Sequence, residues 1–296
     1  MTDARTLWIV SERVFVFEVQ KEADGVEQIT SKDNPRIRAL SRLMTSARDR
    51  RAAHLFVAEG ERLCRDAALS NAEIVRVFCT ADAHEKYADT VRMLAARTAE
   101  QYEISPELAR RVGDTETPQG LFAVCRMRDQ AADAADIAAG DCWLVLENIQ
   151  DPSNMGAIFR SAEAFGLSGV LLAGSCCDVY APKAVRAGMG AVFRLRLLHA
   201  PDGVTAAETL HRAGIRTFAA VAHGDARPLR GGVLGAGCAV FIGNEGNGLR
   251  PETAAACRER LTIPMRGRAE SLNAAAAAAI LTWAMADGAV ETEGAR

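Results

Sequence analysis

The stretch C-W-L-V-L-E-N-I-Q-D-P-S-N-M-G-A-I-F-R-S-A-E-A-F-G, residues 142–166, sets the architecture of the chain. It opens with a nearly continuous apolar run, CWLVLE, which suits a strand buried on both faces. A turn follows, and Asp151-Pro152-Ser153-Asn154 leads into a helix. Four more runs repeat the theme: GVLLAG (169–174), IRTFAAV (215–221), CAVFIG (238–243) and RLTIP (260–264). Each is set off by a helical stretch or a loop. Buried strands alternating with helices predict an α/β fold built on a parallel sheet covered on both faces.

Working outward, DQAADAADIAAGD (129–141) has Ile137 as its single bulky apolar residue and reads as a linker or short connecting helix. Before it, residues 29–128 alternate short strands (HLFVAEG, IVRVFCT, GLFAVCRM) with helices over Glu61–Leu69 and Lys86–Arg97, predicting a small α/β domain. Ile37, Leu40, Leu43 and Met44 recur at helical spacing within 36–51, an amphipathic basic helix. Residues 1–28 form an extension with one expected strand, Val14 to Val19.

The chain has 296 residues and a formal net charge of −3, which by itself argues against a polyanionic partner. Divided by segment, the charge reverses that inference. Residues 31–51 hold seven basic side chains (Lys32, Arg36, Arg38, Arg42, Arg48, Arg50 and Arg51) against Asp33 and Asp49, net +5. Such a local excess is either a solvated face or an electrostatic footprint for a polyanion. No apolar run is long enough for a membrane span, and Ser11, Glu12 and Arg13 interrupt the first apolar clusters, so neither a span nor a secretion signal is expected. Eight cysteines without a C-x-x-C pattern read as reduced thiols of a cytoplasmic protein.

Three constellations at strand ends carry chemistry, because open α/β sheets place ligands there. In the first, Asn154 either caps its helix or reaches a ligand, Gly156 permits close approach of a backbone or a ligand, and Arg160 follows six residues on. In the second, VFIGNEGNGLRPE (240–252), Gly243, Gly246 and Gly248 bare the backbone and Glu245 offers a carboxylate for ribose or base. The order G-x-x-G-x-G is not the dinucleotide fingerprint, which disfavours a nucleotide-dependent oxidoreductase, and no Walker A pattern is present. In the third, LTIPMRGRAESLNAAAA (261–277), Pro264 fixes a strand exit that leaves the main chain of Ile263 and Met265 free for a ligand, and Ser271 or Asn273 begins a long helix. Each alone is also an ordinary cap, glycine turn or strand–loop–helix connection.

Taken together, N-x-G-x-x-x-R-S-A (154–162), I-G-N-E-G-x-G-L (242–249) and I-P-M-x-G-x-x-x-S-L-N (263–273) resemble the three signature motifs of the SpoU family of RNA ribose 2′-O-methyltransferases, of the knotted SPOUT class. The resemblance implies a parallel-sheet catalytic domain over 142–288 with a C-terminal deep trefoil knot, preceded by a ribosomal-protein-like RNA-binding domain over 29–128. It implies S-adenosylmethionine as methyl donor, held by Gly243, Asn244, Ile263, Met265 and Leu272. Asn154, Arg160, Glu245, Ser271 and Asn273 match the catalytic motif positions. No metal is implied, since a sulfonium is already a good leaving group. RNA, ribosomal or transfer, is the implied partner, together with a second copy of the chain packed through the knotted domain. A catalytically inactive RNA-binding module that keeps the fold is the rival reading, against which the intact motifs weigh.

Overall fold

The computed structural model describes residues 8–10, 13–15 and 26–293. Near the start, β1 (Trp8–Val10) pairs antiparallel with β2 (Arg13–Phe15). The rest of the strand expected over Val14–Val19 lies outside the described residues.

A first sheet collects β3 (Glu27–Ile29), β4 (Leu55–Glu59), β5 (Ile74–Cys79), β6 (Gln101–Ile104) and β7 (Leu121–Arg126) in the order β3-β6-β5-β7-β4. Strands β3, β6 and β5 run parallel, while β7 is antiparallel to both of its neighbours. The basic stretch is two helices, α1 (Pro35–Thr45) and α2 (Ala47–Ala53), where one was expected. Asn34 starts α1 by accepting the Arg36 N–H, with Pro35 in the first turn. Ser46 then leaves helical space (φ −118°, ψ 113°), and its hydroxyl caps α2 by accepting the Asp49 N–H. The apolar stripe Ile37, Leu40, Leu43 and Met44 is buried as its spacing requires. Helices α3 (Glu61–Leu69), α4 (Ala81–Lys86), α5 (Ala88–Ala95) and α6 (Pro106–Val112) complete this unit.

The second sheet has eight strands, all parallel: β8 (Gln130–Ala131), β9 (Trp143–Glu147), β10 (Gly169–Ala173), β11 (Arg196–Ala200), β12 (Arg216–Ala220), β13 (Arg227–Pro228), β14 (Cys238–Ile242) and β15 (Glu259–Thr262). Their order is β13-β15-β12-β14-β9-β10-β11-β8. Side chains alternate between two covered faces. Leu144, Leu146, Val240 and Ile242 meet α7 (Pro152–Ala164), α8 (Pro182–Ala187) and α11 (Ala274–Glu293); Trp143, Val145, Ala239 and Phe241 meet α9 (Gly203–Arg212) and α10 (Pro251–Ala256). Gly156 serves a backbone rather than a ligand, because a Cβ there would stand 2.5 Å from the Ala184 carbonyl oxygen of α8. Segment 129–141, read as a linker, is bound into this sheet. Gln130 and Ala131 form its edge strand, and Ile137 is buried in its core.

The two sheets share one apolar core, in which Phe56, Leu121 and Ala123 join Leu146, Met155 and Phe193. Phe56 packs between Tyr180 and Phe193, with ring centroids 4.7 and 5.5 Å away. Arg50, expected to face RNA, turns inward instead. Its side chain is 4% exposed, it sits 2.7 Å from Asp178 across the junction, and it donates to the Leu43 and Met44 carbonyls that α1 leaves unpaired. A buried cation removed from its partner leaves the other charge stranded. Arg50→Met is therefore expected to lower the unfolding free energy by about 3–5 kcal/mol in urea titrations, with Arg50→Met/Asp178→Leu recovering part of that loss.

Candidate active site

The three motifs converge on the edge of the second sheet formed by the strand C-termini. Glu245 is the hub. Its Oε1 accepts the Asp151 N–H and the Asn154 side-chain amide, each at 3.1 Å, and its Oε2 accepts the Gln150 N–H at 3.1 Å and the Asn244 amide at 3.4 Å. A carboxylate has about four lone-pair sites, and here all are used within the protein. The expectation that Glu245 offers its carboxylate to a ribose or base is corrected accordingly: it organises the site from within.

Asn154 joins the other two motifs. While its amide donates to Glu245, its Oδ1 accepts the Asn273 amide at 3.1 Å. The helix cap is not Asn154 but Asp151, which accepts the Ser153 and Asn154 N–H groups. That leaves the Asn154 side chain available for the inter-motif link. Asn273 performs two tasks, since its Oδ1 also accepts the Ala275 and Ala276 N–H groups at the start of α11.

Asn244, expected to hold the cofactor, uses its side chain to shape the loop. Its amide donates to the Asn148 carbonyl, and its Oδ1 accepts the Gly246 and Asn247 N–H groups. Paired main-chain bonds between Asn244 and Gly248 close a tight hairpin. Gly243 is obligatory in it, because a Cβ would lie 2.1 Å from the Gly248 and Leu249 main chain. At the third motif, no main-chain group from Ile263 to Leu272 hydrogen-bonds within the described residues. Ile263, Met265 and Leu272 are half-buried there. Free main-chain donors and acceptors beside half-buried apolar side chains, joined through Asn273 and Asn154 to a glycine hairpin open at Gly246 and Gly248, suit an adenine without charged ligands.

Arg160 and Ser271 are exposed, and neither bonds to this network nor forms an ion pair among the described residues. Six residues along α7 place Arg160 about 9 Å up the axis from Asn154 and on another side of the helix. Of the basic residues proposed for RNA, Lys32, Arg42, Arg48 and Arg51 are exposed without an ion pair among the described residues. Arg36 pairs with Glu27 and lies over the Tyr102 ring, and Arg38 pairs with Asp33.

Sequence reasoning missed a staple behind the site. Glu147, fully buried at the end of β9, accepts the Arg250 N–H and Nε–H and the Thr253 hydroxyl, tying the hairpin's exit to the sheet. It also missed Asn148, whose φ of +57° and Oδ1 bond to the Ser175 N–H shape the first loop. Neither residue stands at a spacing that signals its partner, since those partners lie 27 to 106 residues away.

Burial alone would raise the Glu245 pKa, but the Asn154 amide and the Asp151 and Gln150 N–H groups outweigh it and hold the carboxyl below its ordinary value of 4.5. A lowered native pKa contributes stability above about 4.5, and that contribution disappears as the pH falls through the native value. Urea midpoints from pH 7 to 3 are expected to show a steeper acid decline for the natural protein than for Glu245→Gln. Parallel slopes would contradict the assignment.

An eight-stranded parallel sheet with a glycine hairpin, an Asn–Glu–Asn link and an unpaired strand exit on one edge defines a class. The model of the SpoU rRNA methylase family matches residues 141–283, and that of an MRM3-like substrate-binding domain matches residues 34–123. The chain belongs to the SpoU family. It is 29% identical to the 23S rRNA (guanosine(2553)-2′-O)-methyltransferase RlmP of Bacillus subtilis, over 87% of this chain and 98% of the relative. An uncharacterized tRNA/rRNA methyltransferase of Mycobacterium bovis is 30% identical over 86% of this chain and 90% of the relative. The AdoMet-bound rRNA methyltransferase of Sinorhizobium meliloti superposes with a TM-score of 0.77 at 26% identity, covering 88% of this chain and 97% of that one.

Proposed function

We propose that the chain methylates a ribose 2′-OH in structured RNA, ribosomal RNA first and transfer RNA next, with S-adenosylmethionine as donor. The observation that carries this reading is the hydrogen-bonded union of the three motifs through Asn154, which places the Gly243 hairpin and the free Ile263–Leu272 main chain on one sheet edge. In this reading residues 29–128 bind RNA, residues 142–288 carry the chemistry, and residues 129–141 join them. Lys32, Arg42, Arg48 and Arg51 contact phosphates, as free cations on one segment suit. The threading of the C-terminal segment into a deep trefoil knot, and a cytoplasmic location, belong to the same reading.

When bound, S-adenosylmethionine supplies an activated methyl group. The residues of the chain do the rest. Gly243, Ile263, Met265 and Leu272 hold the adenine side through main chain and apolar contact. Arg160 carries only N–H donors and no acceptor, so it cannot act as a free base. It clamps the target phosphate through its planar fork and orients the hydroxyl, whose proton a phosphate oxygen takes as the ribose oxygen accepts the methyl group that S-adenosylmethionine would supply. Asn154, Glu245 and Asn273 fix the loops, and Ser271 stands exposed beside them for the ribose. Purified protein is expected to transfer labelled methyl to RNA lacking the modification, and no transfer to either RNA class would refute the reading.

A second copy of the chain completes it. Ile280 and Trp283 on α11 are 37% and 53% exposed at adjacent helical positions, an apolar patch that suits pairing through this domain. Trp283→Glu is expected to convert a dimer to a monomer in sedimentation velocity. An unchanged dimer would move the interface elsewhere.

A further inference from the structure

A second cleft, of about 330 Å³, opens on the same sheet edge beside the motif cluster. One wall is the C-terminal end of α2, with Arg51 and His54. The other is the segment following β10, with Cys177 and Tyr180, and Asp129 and His199 lie between the walls. None of the three motifs reaches it.

Its rim carries a free cation, Arg51. Of the two acidic lining residues, Asp178 holds Arg50 at 2.7 Å, and Asp129 Oδ2 lies 3.1 Å from His199 Nε2, off the line of a hydrogen bond. Arg51 and His54 are exposed and have no hydrogen-bonding or ionic side-chain partner among the described residues. His54 takes a left-handed conformation (φ +53°) as the cap of α2, which stands it clear of the helix. The cationic rim continues the basic segment through Arg48. Strand spacing of about 4.8 Å puts the ends of β10 and β11 about 10–15 Å from that of β14, the rise of roughly three or four stacked nucleotides at about 3.4 Å each.

The cleft is also joined to the catalytic loops. Cys177 N–H donates to the Ile149 carbonyl at 2.7 Å, Ser175 N–H donates to Asn148 Oδ1 at 2.8 Å, and the Gln150 side-chain amide donates to the Ser175 carbonyl. Gln150 and Asp151 in turn hold Glu245.

We propose that this cleft is a subsite for an RNA nucleotide flanking the methylated one, its phosphate on Arg51 and His54 and its base edge toward Cys177 and the His199–Asp129 pair. Unstacked bases read by side chains are the usual route to RNA selectivity. This inference rests on the RNA methyltransferase reading and adds the path of the strand. The test irradiates the full chain with S-adenosylmethionine and in vitro transcribed 23S rRNA containing 4-thiouridine, then maps the cross-linked peptides. Cross-links to 51–54 and to 174–180 are expected. The double variant Arg51→Ala/His54→Gly, in which glycine tolerates the left-handed cap, is expected to raise the KM for RNA about tenfold and to lose the 174–180 cross-links. Its dissociation constant for S-adenosylmethionine should stay within twofold, which also reports an intact fold. Cross-links confined to other segments in a protein that still methylates this RNA, or an unchanged KM, overturn the subsite alone. Failure of the natural protein to bind or methylate any RNA overturns the subsite and the parent reading together.

Discussion

Arg160→Ala is expected to lower methyl transfer to RNA by about 10²–10³-fold, the usual cost of removing one preorganised donor from a transition state. The side chain is exposed and has no hydrogen bond or ion pair among the described residues, so its removal disturbs neither the fold nor the Asn154–Glu245–Asn273 link. Unfolding midpoint and S-adenosylmethionine affinity should therefore match those of the natural protein, and the loss should appear in kcat. Arg160→Lys keeps the charge without the planar fork and should recover only part of the rate. A variant turning over at nearly the natural rate would remove Arg160 from the mechanism.

The second large effect is expected at Gly243, where the cause is steric. A methyl group there would stand 2.1 Å from two main-chain atoms of Gly248 and Leu249, which cannot move without opening the hairpin that Asn244 closes. Overpacking of this kind costs about 1–3 kcal/mol. Each 1.4 kcal/mol corresponds to about tenfold in binding, so calorimetry on Gly243→Ala should show S-adenosylmethionine affinity reduced by about one to two orders of magnitude. Gly246→Ala is the contrast. Its nearest neighbour would be Asn244 Oδ1 at 3.5 Å, an ordinary contact, so its unfolding midpoint should be unchanged. Equal losses at both positions would mean that the loop is sensitive to any side chain rather than to this clash.

The apolar runs beginning at Cys142, Gly169, Ile215, Cys238 and Arg260 are the ones from which a parallel sheet could be read, and each contains a strand of it. Strand β11, RLLHA, escaped because Arg196 and His199 break its apolar run, and β8 and β13 escaped because two residues carry no periodicity. The basic helix was legible from its apolar stripe, but its break at Ser46 was not, since serine favours caps yet is also tolerated within helices, as Ser41 is in α1.

At the site, spacing brought Asn154, Glu245 and Asn273 to notice but could not say what they touch. All three satisfy one another across 91 and 119 residues, distances over which local pattern carries no information. Arg50 shows the same limit in reverse. Its charge placed it with six neighbours of like sign, while its position one turn from the end of α1 decided that it faces the Leu43 and Met44 carbonyls. Composition counts charges, and only packing decides which of them reach solvent.

The junction between the sheets has a consequence for how a substrate is received. The residues crossing from one sheet to the other are themselves held: Met127 N–H by the His54 carbonyl, Arg128 N–H by the Tyr180 hydroxyl, and Ala132 N–H by the His199 carbonyl. With the Arg50–Asp178 pair and the Phe56 stack beside them, these bonds brace the junction. A junction braced in this way opposes any change in the gap between the basic segment and Glu245 when an RNA arrives. Any bending or unstacking needed to bridge it falls on the RNA, which favours strands that already hold that span.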